Sequence, residues 1–226
     1  MLSTKLPESR AIIDNPTIWR PASWIGEKTA FSAIRAVFEG PDWKRNVRSP
    51  QTLVLGDARA GRLPAVSWVI PDALDSDHPA ERSDTGPSWV ASVVNAVGES
   101  KDWSSTAIVV LWDDWGGWYD NAPPPQLDFT GLGIRVGCVV ISPYARRGYV
   151  SHTQYEFGSI LRFVEQTFGL PPLGPASFGY TDARARSLVD AFDFTQKPRA
   201  FVPIPAPYSP QYFLRRPPSR RLPDTE

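Results

Sequence analysis

Three short apolar runs, each rich in β-branched residues, most constrain how this chain can fold. They lie at residues 65–70, 107–112 and 136–141. A continuous apolar run of this length is typical of a strand that is covered on both faces, as in a parallel sheet. A helical pattern over residues 86–98 separates the first two runs, a Pro-rich loop separates the second run from the third, and a helical pattern over residues 153–169 follows. These elements predict an α/β domain with one mainly parallel sheet flanked by helices.

Polar residues that follow these runs are the candidates for a functional site. Asp113 and Asp114 come directly after the second run, His78 follows the first by a short loop, and His152 follows the third. Ligands of open α/β sheets bind outside the carboxyl ends of the strands. We therefore expect the carboxylates and the two imidazoles on a common rim of the sheet.

Carboxylates and imidazoles on one rim can form either a metal site or an acid/base pair, and the pattern leaves both open. Each residue also has a structural alternative: the Asp pair can be a solvated turn, and either histidine can be a hydrogen-bonding loop residue. Asp72 and Asp75 are expected to cap turns. Asp77 can either orient His78 or cap a turn, and the sequence leaves both roles open. The aromatic residues after the Asp pair can line a substrate pocket or pack in the core.

Composition excludes several other classes of protein. The chain has 24 Lys and Arg against 24 Asp and Glu. This balance gives no electrostatic basis for binding nucleic acid or an anionic membrane. No apolar stretch is long enough to span a bilayer, and the first residues lack the apolar core of a signal peptide. The location stays open, and the sequence as it stands indicates the cytoplasm. The single cysteine, Cys138, excludes an intramolecular disulfide and is expected to be a buried, inert thiol.

Local patterns predict one domain with an extension at each end. Residues 1–29 show no periodicity and are expected to be irregular, and the domain is expected over residues 30–203. Residues 204–226 are rich in Pro and Arg and are predicted to be disordered. Within the domain, residues 153–156 read Thr-Gln-Tyr-Glu, the pattern of a capping box for a helix that ends near Gly169.

Six segments are more specific than these general patterns, and together they resemble a known family. The segments are Leu63-Pro64-Ala65-Val66-Ser67-Trp68-Val69, Ser76-Asp77-His78-Pro79, Gly86-Pro87-Ser88-Trp89-Val90, Trp112-Asp113-Asp114-Trp115-Gly116-Gly117-Trp118-Tyr119-Asp120, Ile141-Ser142-Pro143-Tyr144-Ala145 and Tyr149-Val150-Ser151-His152-Thr153. In this order they resemble the bacterial phosphoesterase family, which contains the non-specific phospholipases C and related acid phosphatases.

The resemblance implies an alkaline-phosphatase-like fold and the metal-dependent hydrolysis of phosphate mono- or diesters, phospholipids among them. It implies that Asp113 and Asp114 bind a divalent metal ion, whose identity stays open. It also implies that His78 and, less directly, His152 are catalytic.

Three further residues of the resembling segments are candidate substrate contacts. They are Asp77, beside His78, and the aromatic residues Trp115 and Tyr119 after the Asp pair.

Two departures from the family pattern limit what the resemblance implies. Asn121 stands where the family has a histidine, and residues 1–29 contain neither the family's metal-binding Glu-Asn segment nor its hydroxyl nucleophile. The chain therefore resembles the carboxyl-terminal half of such an enzyme, an incomplete domain whose partner could be an upstream half. Three hypotheses follow: a phosphoesterase, a catalytically inactive remnant that binds a metal or a partner, and an interaction module that acts through its Pro/Arg tail.

Overall fold

The computed structural model describes most of the chain, namely residues 17–19, 35–48, 50–79 and 83–217. Residues 17–19 form a strand, so the prediction of an irregular segment over residues 1–29 is wrong for these three residues. The rest of residues 1–29 lies outside the described part.

The chain divides into two compact units rather than one. One unit comprises Met1–Ala11 and Ser104–Ala200, and the other comprises Ile12–Trp103 and Phe201–Glu226. They are called unit 1 and unit 2 below.

The described strands are, in chain order, β1 Thr17–Trp19, β2 Val47–Arg48, β3 Ser67–Val69, β4 Ile108–Leu111 and β5 Cys138–Ile141. The described α-helices are α1 Arg35–Phe38, α2 Pro41–Asn46, α3 Leu53–Arg59, α4 Gly86–Gly98, α5 Gly158–Phe168 and α6 Pro210–Arg215. Among the described residues, no helix combines the length and the apolar character needed to cross a membrane.

Unit 2 contains a three-stranded parallel sheet in the order β2-β1-β3. Ile18 of β1 lies opposite Val47 of β2 and opposite Trp68 of β3. The apolar run at residues 65–70 is therefore a strand in a parallel sheet, as the sequence predicts.

The core of unit 2 forms around α4. This helix begins with Pro87 in its first turn, where the missing N–H leaves no helical hydrogen bond unmade, and it has the predicted bounds. Trp89, Val94 and Val97 are at most 4% exposed. Burial of each such side chain stabilises a fold by about 1.5–3 kcal/mol. Apolar residues of α3 complete this core, with Val54, Leu55 and Ala58 at 0–1% exposure.

The segment that follows residue 203 is ordered as far as it is described, so the prediction of disorder is wrong for residues 204–217. The Phe213 side chain of α6 is 2% exposed and meets the Trp89 ring edge-to-face at 5.4 Å between centroids. The Asn95 side chain exchanges two hydrogen bonds with the backbone of Ile204, of 2.9 and 2.8 Å. A tail of disorder-prone composition is thus fixed by a few specific contacts. Residues 218–226 lie outside the described part.

Unit 1 contains a two-stranded antiparallel ribbon, β4 paired with β5. Ile108 lies opposite Ile141, and Leu111 lies opposite Cys138. The prediction of one mainly parallel sheet is therefore wrong for these two runs. An apolar run predicts a strand but carries no information on the direction of its partner.

The ribbon is also less covered than its composition predicts. All four residues of β4 are only half-buried, and Cys138 and Val139 of β5 are exposed. The expectation of a buried Cys138 is therefore wrong.

Helix α5 begins later than predicted, at Gly158, and its N-cap residue Phe157 makes no side-chain capping bond. The predicted capping box is wrong because its two polar side chains bind elsewhere: Thr153 donates to Asp190, and Glu156 pairs with Arg184. The predicted end is confirmed.

Gly169 ends α5 with φ 67°, a left-handed conformation that glycine adopts without steric strain.

Candidate active site

The Asp113-Asp114 pair lies in a tight turn that follows β4. The amide of Gly116 donates to Asp114 Oδ1 at 2.6 Å, and Gly116 and Gly117 both have positive φ, of 58° and 78°. Two successive residues at positive φ favour glycine, because a Cβ atom would clash there. Both carboxylates are exposed. The turn therefore presents two hard oxygen donors to solvent.

A bidentate ion pair closes the loop that carries the Asp pair. Arg135 donates from Nε to Asp120 Oδ2 and from Nη2 to Asp120 Oδ1, both at 2.7 Å. Hydrogen bonding from this guanidinium holds the pKa of Asp120 below its usual range. The Asp120 carboxylate is thus ionised but already paired, and it is not a free ligand for a metal.

The aromatic candidates on this loop do not pack in the core. Trp115 is 47% exposed and Tyr119 is 88% exposed. The sequence leaves two alternatives for these rings, a substrate pocket or core packing, and the structure does not support core packing.

His78 lies at the end of a turn in unit 2 that is built on two buried carboxylates. Asp72 accepts a hydrogen bond from the amide of Asp75 at 3.2 Å, which caps the 3₁₀ turn Ala73–Asp75 as predicted. Asp75 accepts from the Thr85 hydroxyl at 2.6 Å and from the Gln51 amide at 3.0 Å. These bonds anchor the turn to the start of α4 and to the segment before α3.

The residue before His78 has an unusual backbone. Asp77 has φ 59°. Among the described residues it is the one residue other than glycine with a positive φ. This conformation costs about 1–2 kcal/mol for an L-residue and persists only where the surroundings fix it. Partial desolvation and the nearby Asp75 carboxylate raise the pKa of Asp77. His78 itself is half-buried.

His152 lines a cavity of about 730 Å³ in unit 1. The other lining residues are Leu127, Tyr149, Thr153, Gln154, Glu156, Arg184, Ala185 and Arg186. The cavity is broadly open to solvent, unlike the pockets that enclose most of a small molecule. The His152 side chain is exposed.

Asp190 organises the loop on which His152 lies. Its carboxylate accepts hydrogen bonds from Ser151 at 2.6 Å, from Thr153 at 3.1 Å and also from Tyr155. Burial acts to raise the pKa of Asp190, but these hydroxyl donors lower it below its ordinary value. The two residues that flank His152 are thus tied to one ionised carboxylate.

Arg184 forms the second fixed part of the cavity wall. It donates to both oxygens of Glu156, with Nε to Oε1 at 3.0 Å and Nη2 to Oε2 at 2.7 Å, and its Nη1 donates to Asp128 at 2.7 Å. Sequence reasoning missed Arg184 and Asp190. Both lie more than 25 residues from partners they bind, and no local pattern marks them.

The predicted common rim is not formed by the ends of β4 and β5. Because the two strands are antiparallel, the chain leaves β4 toward Asp113 at the end where β5 begins, and it leaves β5 toward His152 at the opposite end. His78 belongs to unit 2.

The donors around the Asp pair do not complete a metal site. Within the described residues, no group of three or more His, Cys, Asp or Glu side chains could hold a metal ion. Catalytic zinc sites take about three protein ligands, and Ca²⁺ takes about six to eight oxygens. Asp113 and Asp114 therefore fit only part of a coordination shell.

Comparison with known proteins decides the family. The profile of the phosphoesterase family matches residues 37–171, which include His78, both residues of the Asp pair and His152. The chain belongs to this family. The resemblance carried by the six segments is thereby confirmed.

Curated relatives of the chain are phospholipases C. It is 32% identical to Phospholipase C A of Mycobacterium tuberculosis over 172 residues, which cover 65% of this chain and 33% of that protein. It is 30% identical to the Non-hemolytic phospholipase C of Pseudomonas aeruginosa over 173 residues, 61% of this chain and 24% of that protein. It is 26% identical to Non-specific phospholipase C6 of Arabidopsis thaliana over 182 residues, 67% of this chain and 34% of that protein. The matched region thus spans about a third or less of these relatives.

Proposed function

We propose that this chain carries part of a phospholipase C-like phosphoesterase site, which hydrolyses phosphate ester bonds of phospholipids or related phosphoesters. The observation that supports this proposal best is the family match, because it includes all four predicted site residues in one continuous region. In this proposal Asp113 and Asp114 are metal ligands, and His78 and His152 are catalytic.

The chemistry follows from the side chains. A divalent metal ion, when bound, would neutralise charge on phosphate oxygens. An imidazole can donate a proton to the leaving oxygen of a phosphoester, and such positioned acids contribute about 10²–10⁴-fold to rate. Asp77, Trp115 and Tyr119 are proposed to contact the substrate. The exposed aromatic rings suit an amphipathic substrate such as a phospholipid, because they offer apolar surface beside polar groups.

The remaining ligands and the nucleophile are proposed to come from sequence that corresponds to the rest of the relatives, either in the same polypeptide or in a partner chain. The exposed side of β5 supports this proposal. Val139 is 50% exposed although it belongs to an apolar strand, and strands of this composition are normally covered.

A catalytically inactive protein that binds a metal or a partner is the second candidate. Two observations favour it: the incomplete donor set around Asp113 and Asp114 among the described residues, and Asn121 in place of the family's histidine.

Hydrolysis of p-nitrophenylphosphorylcholine separates the two candidates. The 226-residue chain alone is expected to be no faster than a metal-only control, because a nucleophile in line with the leaving group is required. Addition of the upstream segment of a family member, in cis or as a separate chain, should restore turnover, and His78→Ala should abolish it.

Three outcomes would count against this proposal. Hydrolysis by the chain alone would show that no upstream segment is needed. Failure of every combination to hydrolyse the substrate would favour the inactive candidate. A restored enzyme that is indifferent to His78→Ala would remove the role assigned to His78.

Metal binding has its own test. We expect calorimetric titration with Mn²⁺, Ca²⁺ or Zn²⁺ to show weak binding that the double variant Asp113→Asn/Asp114→Asn loses. Asp57→Asn, which removes a carboxylate paired with Arg62 in unit 2, is the matched control and should bind as the unchanged chain does. Equal binding by the double variant would mean that the Asp pair is a solvated turn.

A further inference from the structure

The turn that ends at His78 contains more buried negative charge than its local partners can offset. Asp72 is 4% exposed and Asp75 is 2% exposed. An ionised carboxylate removed from water is destabilised by several kcal/mol unless a cation pairs with it. Thr85 and Gln51 give Asp75 neutral donors only. Burial, and after it the neighbouring Asp75 charge, raises the pKa of Asp72.

Arg216 supplies the positive charge from a distant part of the sequence. Its Nη2 lies 3.2 Å from both carboxylate oxygens of Asp72 and also donates to Asp75 Oδ2, a residue 141 positions earlier. Its side chain is only 17% exposed. The guanidinium lies over the Tyr212 and Phe213 rings, at 5.7 and 5.8 Å from their centroids. Arg216 directly follows α6, and the buried Phe213 of that helix packs against Trp89 and holds the helix in place.

Asp75, one of the two carboxylates that pair with Arg216, lies three residues before His78, and the backbone between them has little freedom. Asp77 is held at positive φ, and its carboxylate lies so close to Gly86 that a Cβ atom there would overlap it. The amide of His78 donates to the Ser76 hydroxyl at 3.3 Å. A strained turn of this kind keeps its geometry only while its anchors remain. Asp75 is the central anchor, and Arg216 neutralises it.

We propose that Arg216 is a positioning residue for His78, so that the segment after residue 203 takes part in building the site. The positioning rests on the contacts within unit 2. Its consequence for catalysis rests on the proposed function, in which His78 is catalytic.

Nuclear magnetic resonance of the histidine side chains tests the positioning directly. The chain has two histidines, so its imidazole spectrum contains two sets of signals, and His78→Gln assigns them. Arg216→Gln should shift or split the His78 signals and leave those of His152 unchanged. Arg216→Lys, which keeps the charge, should return the His78 signals toward their original positions. Arg215→Gln is the matched control, because Arg215 is the exposed arginine next to Arg216, at the end of α6, and it should leave both sets in place.

Arg216→Gln leaves two buried carboxylates without a cation and can fail to fold. The triple variant Asp72→Asn/Asp75→Asn/Arg216→Gln removes the cation and both carboxylate charges together, so it is expected to fold. It should also shift the His78 signals, because the guanidinium bonds are lost. If His78 signals are unchanged in a folded variant that lacks the guanidinium, the proposal is wrong. Equal shifts at His152 would likewise overturn it, since they would indicate a general loss of structure.

A kinetic readout connects positioning with catalysis. In a preparation with restored hydrolysis, Arg216→Gln should lower kcat about 10- to 100-fold, the effect of a misplaced catalytic group, with little change in KM. An unchanged kcat would overturn the catalytic consequence. Without restored hydrolysis the spectra still decide the positioning, so its failure and that of the proposed function are distinguishable.

Discussion

Glu165→Gln is expected to stabilise the protein, and to do so more at alkaline than at acidic pH. Glu165 of α5 is 6% exposed, and it lies beside Asp182, which is 1% exposed. Burial, a hydrogen bond to Asp182 and the Asp182 charge together raise the pKa of Glu165. The Glu165 Oε1 atom is buried without a hydrogen-bond partner. A protonated Glu165 can donate a hydrogen bond to Asp182, and ionisation of Glu165 removes this donor.

The sign of the pH dependence follows from the direction of the shift. A carboxyl group whose pKa is higher in the folded protein than in the unfolded chain stabilises the fold fully below the unfolded value. That contribution is lost as the pH rises toward the folded value. Glutamine keeps a donor for Asp182 at every pH and cannot ionise.

The expected gain in the free energy of unfolding is that of giving one buried polar atom a hydrogen-bond partner. The gain in the free energy of unfolding should be about 1 kcal/mol near pH 8, at the low end of the range for such atoms because Arg162, with Nη1 3.5 Å from Glu165 Oε2, already offsets part of the repulsion. Near pH 4 the gain should be clearly smaller, because most of the glutamate is then protonated in both the folded and the unfolded state.

Urea unfolding at the two pH values, followed by far-ultraviolet circular dichroism, measures the difference. Glu99→Gln, an exposed glutamate in unit 2, is the matched control and should change stability by less than about 0.5 kcal/mol at either pH. A Glu165→Gln protein that is less stable than the original near pH 8 would refute the raised pKa of Glu165, as would a gain of the same size at both pH values.

Three other predictions concern packing, the thiol and the His152 loop. Phe213→Ala should lower the free energy of unfolding by about 3–5 kcal/mol, whereas Leu214→Ala, at an exposed position, should change it by less than about 0.5 kcal/mol; equal effects in urea unfolding would contradict the anchoring of α6. Cys138 is exposed, so its thiol should react with a maleimide in the folded protein, and a thiol that reacts only after unfolding would contradict this exposure. Partial burial raises the pKa of the thiol, so the reaction rate should keep rising above the pH at which an ordinary thiol ionises. Asp190→Asn should broaden the His152 signals and leave those of His78 sharp, because Asp190 accepts the hydroxyl bonds around His152; unchanged His152 signals would contradict this role.

Sequence alone identified only those candidate site residues that stand in short continuous motifs. The Asp pair with its glycines, and both histidines, stand in motifs that the family match includes. Their supporting residues were not predictable. Asp190, Arg184 and Arg216 act on partners far away in sequence, and the distance between two such residues is not set until the chain has folded.

The sequence by itself determined the family and the local elements. Helix α4 has the predicted bounds because its apolar residues recur every three or four positions and Pro87 marks its start. The three apolar runs are strands for a similar reason: steric preference acts within the run itself. Only the tertiary structure decided that β4 and β5 are antiparallel and that residues 204–217 are ordered. Strand direction and the anchoring of Phe213 and Arg216 depend on contacts between distant segments, whose free energy no local pattern contains.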